Sequence, residues 1–277
     1  MSLMAGRPAI TGKPPIMSFS ARVRLVWALL LLGLIFVFSR MGLDFGLIEQ
    51  KLPFLLGLRL SPEGMVQGAV LTVVVTIASA GFALIVAVLT ALGRLSKNPV
   101  AFACATFYAS FFRGTPLLVQ VLIIYLALPQ AGLILSGFTS GVLALSLNYG
   151  AYLAETIRSG VAAVAHGQRE AARALGLKPA QIAYKIIAPQ AMRIIVPPAG
   201  ALFISMLKDS SLVSIMGLWE LNFLAQSFGR STFHYMEMLL TAAAIYWIMS
   251  ILLELVQARL EKRYGRAYGD SERRQTQ

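Results

Sequence analysis

Six stretches of about 20 apolar residues constrain this chain more than any other feature, because a helix of that length crosses a ~30 Å hydrocarbon core with its backbone hydrogen bonds made internally. They run roughly from Leu25 to Met41, Met65 to Leu92, Phe102 to Leu128, Phe138 to Ile157, Ile194 to Met216 and Met238 to Ala258, and Lys208 and Asp209 interrupt the fifth. Composition agrees. Of 277 residues, 57% are hydrophobic and 13% charged, against roughly 25% charged in a soluble domain. One soluble core of this size cannot hide so much apolar surface. The sequence therefore predicts an all-α membrane protein with about six transmembrane helices.

The 24 Lys and Arg against 12 Asp and Glu give a net charge of +12, which in a soluble chain would point to nucleic acid. Here the basic residues fall into alternate gaps. Arg7, Lys13, Arg22 and Arg24 precede the first span; Arg94 and Lys97 follow the second; Arg158, Arg169, Arg173, Lys178, Lys185 and Arg193 follow the fourth; and Arg259, Lys262, Arg263, Arg266, Arg273 and Arg274 follow the sixth. The positive-inside rule puts these gaps and both termini in the cytoplasm, facing anionic lipid. Residues 1–20, with Pro8, Pro14 and Pro15, read as a flexible tail, 21–64 as an N-terminal span with a periplasmic segment, 65–258 as a transmembrane core, and 259–277 as a basic cytoplasmic tail fraying after Tyr268. Ser39 and Arg40, not a small-residue cleavage site, follow the first span, which reads as a retained anchor.

Cys104 is the single cysteine, so no intramolecular disulfide forms, and with only His166 and His234 besides, metal chemistry is not expected. Cys104 reads as a small apolar helix residue. An intramembrane hydrolase would need a nucleophile and base at membrane depth; no G-x-S-x-G occurs and both histidines fall between spans. The nearest approach to a phosphate loop, Gly6 to Pro14, has five residues between its glycines and Pro14 where Ser or Thr would hold magnesium.

The gap from Arg158 to Arg193 is too long for a plain turn between packed helices. Its Ala-rich start predicts a helix over 162–175, with Glu170 preceding Arg173 at i,i+3. Gly176 stands where a left-handed cap belongs, and Pro179 opens a second helix that Pro189 should end near Ile187. By pattern alone, this hairpin fits a partner's groove or the bilayer surface.

The run Glu170, Ala171, Ala172, Gly176, Ile186 and Pro189 resembles the EAA loop of ATP-binding-cassette importer permeases, and it precedes the penultimate span as in that family. Phe112 to Pro116, Leu145 to Glu155 and Leu207 to Ser214 resemble its polar amino acid branch (histidine, glutamate, glutamine, arginine and opine systems). Ala188 stands where the family usually has Leu. The resemblance covers roughly Pro62 to Tyr264 and implies a type I, MetI-like permease core with an extra N-terminal helix, in the bacterial inner membrane. It also implies a non-enzymatic subunit paired with itself or a related permease, docked through the EAA loop on two ATPase subunits, and fed a polar amino acid by a separate solute-binding protein. ATP and magnesium would bind the ATPase, and this chain would hold no cofactor.

Charge at the bilayer centre costs about 2.5–3.5 kcal/mol on insertion scales, so charged residues within spans need a reason. Lys208 and Asp209 lie about 20 Å from the cytoplasmic end near Ile194. With Ser210, Ser211 and Ser214 following, they read as an interrupted helix at a polar cavity, where a zwitterion's ammonium would meet Asp209 and its carboxylate either Lys208 or a free helix N-terminus; a packing or gating network is the alternative. Asn148 and Tyr149 are further candidates for the path. Glu155 serves either as a lining residue or as the i,i+3 partner of Arg158, Arg113 reaches toward the cytoplasm, and Glu254 pairs with Arg259 or with a neighbouring helix. A gradient-driven secondary transporter is the rival function; the spans show no internal repeat.

Overall fold

The computed structural model describes residues 18–275, so the first seventeen residues, with the Gly6 to Pro14 segment and most of the expected tail, lie outside the described residues. The chain divides into two units, residues 1–45 and 46–277. In the first, α1 (Phe19–Arg40) starts inside the tail expected up to residue 20, because the Ser18 hydroxyl accepts the Ala21 N–H and caps the helix. Its 22 residues span about 33 Å, enough to cross a bilayer.

The second unit is a helical bundle: α2 (Phe45–Leu56), α3 (Gly68–Leu95), α4 (Pro99–Gly114), α5 (Leu117–Leu122, widening into a π turn over Ile123–Ala127), α6 (Gly137–Ala162), α7 (His166–Ala174), α8 (Pro179–Gln181), α9 (Ala188–Asp209), α10 (Leu221–Thr232) and α11 (Tyr235–Gln275). α6 is its centre, packed most extensively on α3 and flanked by α4 and α9. Leu145, Ala151 and Ala154 are fully buried on it, and Ser146 Oγ donates to the carbonyls of Val142 and Ser79. Such small and polar residues suit close helix contact. They also lower the helix's hydropathy.

Among the described residues, four helices are long and apolar enough to cross a membrane: Phe19–Arg40, Gly68–Leu95, Pro179–Met216 and Tyr235–Arg263. A fifth span is made if Pro99–Gly114 and Leu117–Ala131, bent by 105°, count as one. The expected third span is thus not straight. Pro116 removes an N–H and restricts Thr115 to extended backbone, so the helix breaks there.

At one end, α2 folds back on α10 and α11 through buried Leu55, Leu221, Leu224 and Met238. The α3 entry passes so close that a side chain at Gly68 (φ +63°) would strike the carbonyl oxygens of Phe54 and Leu55. At the other end, the helix expected to stop at Ile187 instead runs on. Residues Ile182–Ile187 form a π segment and Ala188 is helical (φ −57°, ψ −46°). The shifted i→i+5 bonding absorbs the N–H missing at Pro189, which lies in the first turn of α9. α11 likewise continues as helix to Gln275, past both the boundary at 259 and Tyr268.

Candidate functional site

α7 and α8 form the expected hairpin. Gly176 adopts φ +75°, its N–H bonds the Arg173 carbonyl at 2.9 Å, and the Leu177 N–H bonds Ala172 at 3.1 Å. This pattern closes the orphan carbonyls of α7. Ala172 is buried, which anchors the hairpin, whereas Glu170 faces outward and meets His166 Nδ1 at 3.2 Å, not Arg173. Ala171, one position around the helix, is exposed; Ile186 lies in the π segment and Pro189 at the head of α9. The hairpin therefore presents a short polar helix directly at the base of the 22-residue α9.

The far end of α9 carries the charges. Adjacent residues on a helix point about 100° apart, and the structure sends Lys208 and Asp209 into different cavities. The single cavity expected for both is corrected accordingly. Asp209 accepts the Tyr149 hydroxyl at 2.6 Å and lines a space of about 450 Å³ with Arg113, Asn148, Tyr152 and Ser205. Ser210 is buried and closes the helix end by donating to the Leu207 carbonyl at 2.7 Å, where α9 tightens into a 3-10 turn over Ser210–Met216.

The α4–α5 elbow forms the opposite wall. Sequence reasoning missed Gln120, which donates to the carbonyls of Phe112 and Thr115 and to the Thr115 hydroxyl. Asn148 Nδ2 in turn donates at 3.1 Å to Gln120 Oε1 and to Phe112. One amide pair thus satisfies carbonyls freed by the broken helix. A lone Gln in the run Leu117 to Tyr125 was the available signal, since a buried amide requires partners. Gln120→Leu is expected to destabilise the bundle by about 2 kcal/mol, because those carbonyls lose their donor; thermal unfolding in detergent checks this.

Glu155 is held by arginines from three helices. It pairs with Arg94, with Arg158 at 2.5 Å and with Arg113 at 3.4 Å. The i,i+3 pair with Arg158 is present, and Arg113 reaches Glu155 while its guanidinium lies 5.5 Å over the Tyr152 ring. Glu155 lies in this cluster at the ends of α3, α4 and α6, beside the cavity. Cys104 is exposed on α4.

Residues 81–266 match the family of binding-protein-dependent transport system inner membrane components. The chain belongs to this family. It is 41% identical to the L-cystine transport system permease protein TcyB of Bacillus subtilis (strain 168), over 72% of this chain and 86% of that one. To the arginine transport system permease protein ArtQ of the same organism it is 34% identical, over 80% and 98%. A crystal structure of an amino acid ABC transporter with histidines superposes with a TM-score of 0.72 at 35% identity, covering 80% of this chain and all of that one. An inward-facing MetNI methionine ABC transporter superposes at 0.59 with 20% identity, over 70% and 92%, which concerns the fold. The chain is an ABC-importer permease subunit with the MetI-like fold, related to polar amino acid transport systems, and it is not the ATPase.

Proposed function

We propose that this permease carries polar amino acids across the bacterial inner membrane, driven by two ATPase subunits docked at the α7–α8 hairpin. A separate solute-binding protein delivers the substrate, and the permease pairs with a second copy or a related permease. Counting α6 and the bent α4–α5 pair, six helices cross the bilayer, the first of them preceding the MetI-like core, with both termini and the hairpin cytoplasmic. One observation carries the reading: α9 joins the exposed Glu170 hairpin at one end to Asp209 and its polar cavity at the other. A rigid helix about 33 Å long transmits rigid-body motion from the hairpin to the cavity wall.

The cavity suits a zwitterion. Asp209 takes the ammonium, Arg113 takes the carboxylate bidentately, and Asn148 and Tyr149 fix the wall. Lys208 lies outside this constellation. Asp209→Asn is expected to cut uptake at least tenfold at unchanged membrane abundance; wild-type uptake would remove Asp209 from the path.

The deciding experiment reconstitutes the chain with its ATPase and solute-binding protein in vesicles. Amino acid uptake should require ATP and survive collapse of the ion gradient. Uptake that ignores ATP and vanishes with the gradient would establish the secondary-transporter alternative instead.

A further inference from the structure

On the other side of α9 from the Asp209 cavity lies a second space of about 550 Å³, walled by the α9 end, α10 and α11. α11 contributes Leu239, Ala243, Trp247, Ser250 and Glu254, spaced by three or four residues along one helical face, with Tyr246 beside them. Lys208 enters from α9. Among the described residues, neither the Lys208 nor the Glu254 side chain has an ion-pair or hydrogen-bond partner, so Glu254 pairs neither with Arg259 nor with a neighbouring helix. Ser250 is 8% exposed and its hydroxyl has no partner.

These groups cannot face lipid tails without cost. Gln257 Nε2 donates to the Pro197 carbonyl at 3.1 Å, which sets the antiparallel register of α9 and α11. Counting eleven residues along each helix from that bond places Lys208 level with Tyr246, so Lys208 and Glu254 are separated by about 12 Å along the axis at 1.5 Å per residue. Too far apart along the helices to quench each other directly, the two charges stand at opposite ends of the cavity, with Trp247 beside the Lys208 end and Ser250 between them. An extended basic amino acid separates its carboxylate from its distal cation by roughly 7 Å, counting bonds of about 1.5 Å. The two side chains reach inward across the remainder.

We propose that this second cavity is a separate binding site for an amino acid with a cationic side chain, its carboxylate on Lys208 and its distal cation on Glu254, with Ser250 donating between them. This rests on the reading that the permease handles amino acids, but it involves none of the Asp209 cavity's residues.

The test is equilibrium binding of radiolabelled L-arginine to the permease–ATPase complex in lipid nanodiscs, with L-citrulline as the neutral comparison. Wild type should show two classes of saturable site. Glu254→Gln and Lys208→Met should each weaken one class at least tenfold and leave the other, Asp209→Asn should do the converse, and citrulline should compete at the Asp209 class only. Unchanged binding in both Glu254→Gln and Lys208→Met would overturn the second site while leaving the first intact. Quantitative disulfide formation between two copies carrying Ala243→Cys would also overturn it, by showing that a second permease fills the space, as would a lipid copurifying with wild type and lost in Lys208→Met. Absence of saturable arginine binding in wild type removes the second site, and if the Asp209 variant still transports as wild type does, the first assignment falls separately.

Discussion

Glu170→Lys should leave the chain inserted at wild-type abundance, reduce ATP-driven uptake to background, and leave ATP hydrolysis by the partner running without transport. The reason lies in what Glu170 touches. Its side chain is 65% exposed and, among the described residues, pairs with His166, one turn earlier on α7; an i,i+4 pair of this kind contributes about 0.2–0.5 kcal/mol. The hairpin keeps its shape through buried Ala172 and the Gly176 cap, neither of which the substitution disturbs. A large functional loss must then come from a surface that Glu170 offers to another subunit, where a reversed charge is expelled. Immunoblots of membranes, uptake into proteoliposomes and phosphate release measure the three parts. Normal uptake would mean that the hairpin couples through other residues.

The largest stability effect is expected at Glu220, outside the spans between the 3-10 turn and α10. It is fully buried. It caps α10 by accepting the N–H groups of Asn222 at 2.9 Å and Phe223 at 2.7 Å, and it also accepts the Tyr246 hydroxyl at 2.8 Å and the Thr72 hydroxyl at 3.4 Å. One carboxyl thereby fastens α3, α10 and α11 together. Glu220→Ala strips the acceptor from four donors and is expected to cost about 3–5 kcal/mol, in the range for breaking a buried charged network. Glu220→Gln keeps one acceptor oxygen and should cost less than half as much.

Burial pushes this carboxyl up to about 7, against the pull of the hydrogen bonds it accepts. The folded form therefore holds a proton that the unfolded chain has released, so this contribution is full below the ordinary carboxylate range and is lost as pH rises toward 7. Thermal melts of the solubilised protein should fall across that window, and Glu220→Gln should flatten the slope. An equal slope in the variant would assign the titration elsewhere.

The apolar runs made most of the spans legible, because lipid imposes length and composition together. α6 was found by its length and its basic far side, although Ser146, Asn148 and the small residues that make it central also make it the least apolar. The short α2 and α10 went unnoticed: they are amphipathic pieces of about three turns, stabilised by contacts distant in sequence such as Leu55 with Leu221. Helix termination at Ile187 was misjudged because the preference of residues before proline is local, and a π segment offers the chain another solution. At the candidate site, residue types were readable and their grouping was not. Lys208 and Asp209 are neighbours in sequence and lie in different cavities, whereas Asp209 and Tyr149 are 60 positions apart and share a hydrogen bond. Glu220 was not legible as a structural centre, since nothing in its surrounding sequence foretells Thr72 and Tyr246.

The π segment at Ile182–Ile187 sets the compass bearing of the hairpin. A stretch bonded i→i+5 accommodates roughly one residue more than an α-helix of equal length, and one residue is about 100° of rotation. The direction in which Glu170 points relative to the Asp209 end of α9 is thus fixed by a single surplus residue. On the proposed docking of the ATPase at this hairpin, homologous permeases that lack the surplus would have to meet it from a different quarter, or recover the lost phase elsewhere along the helix.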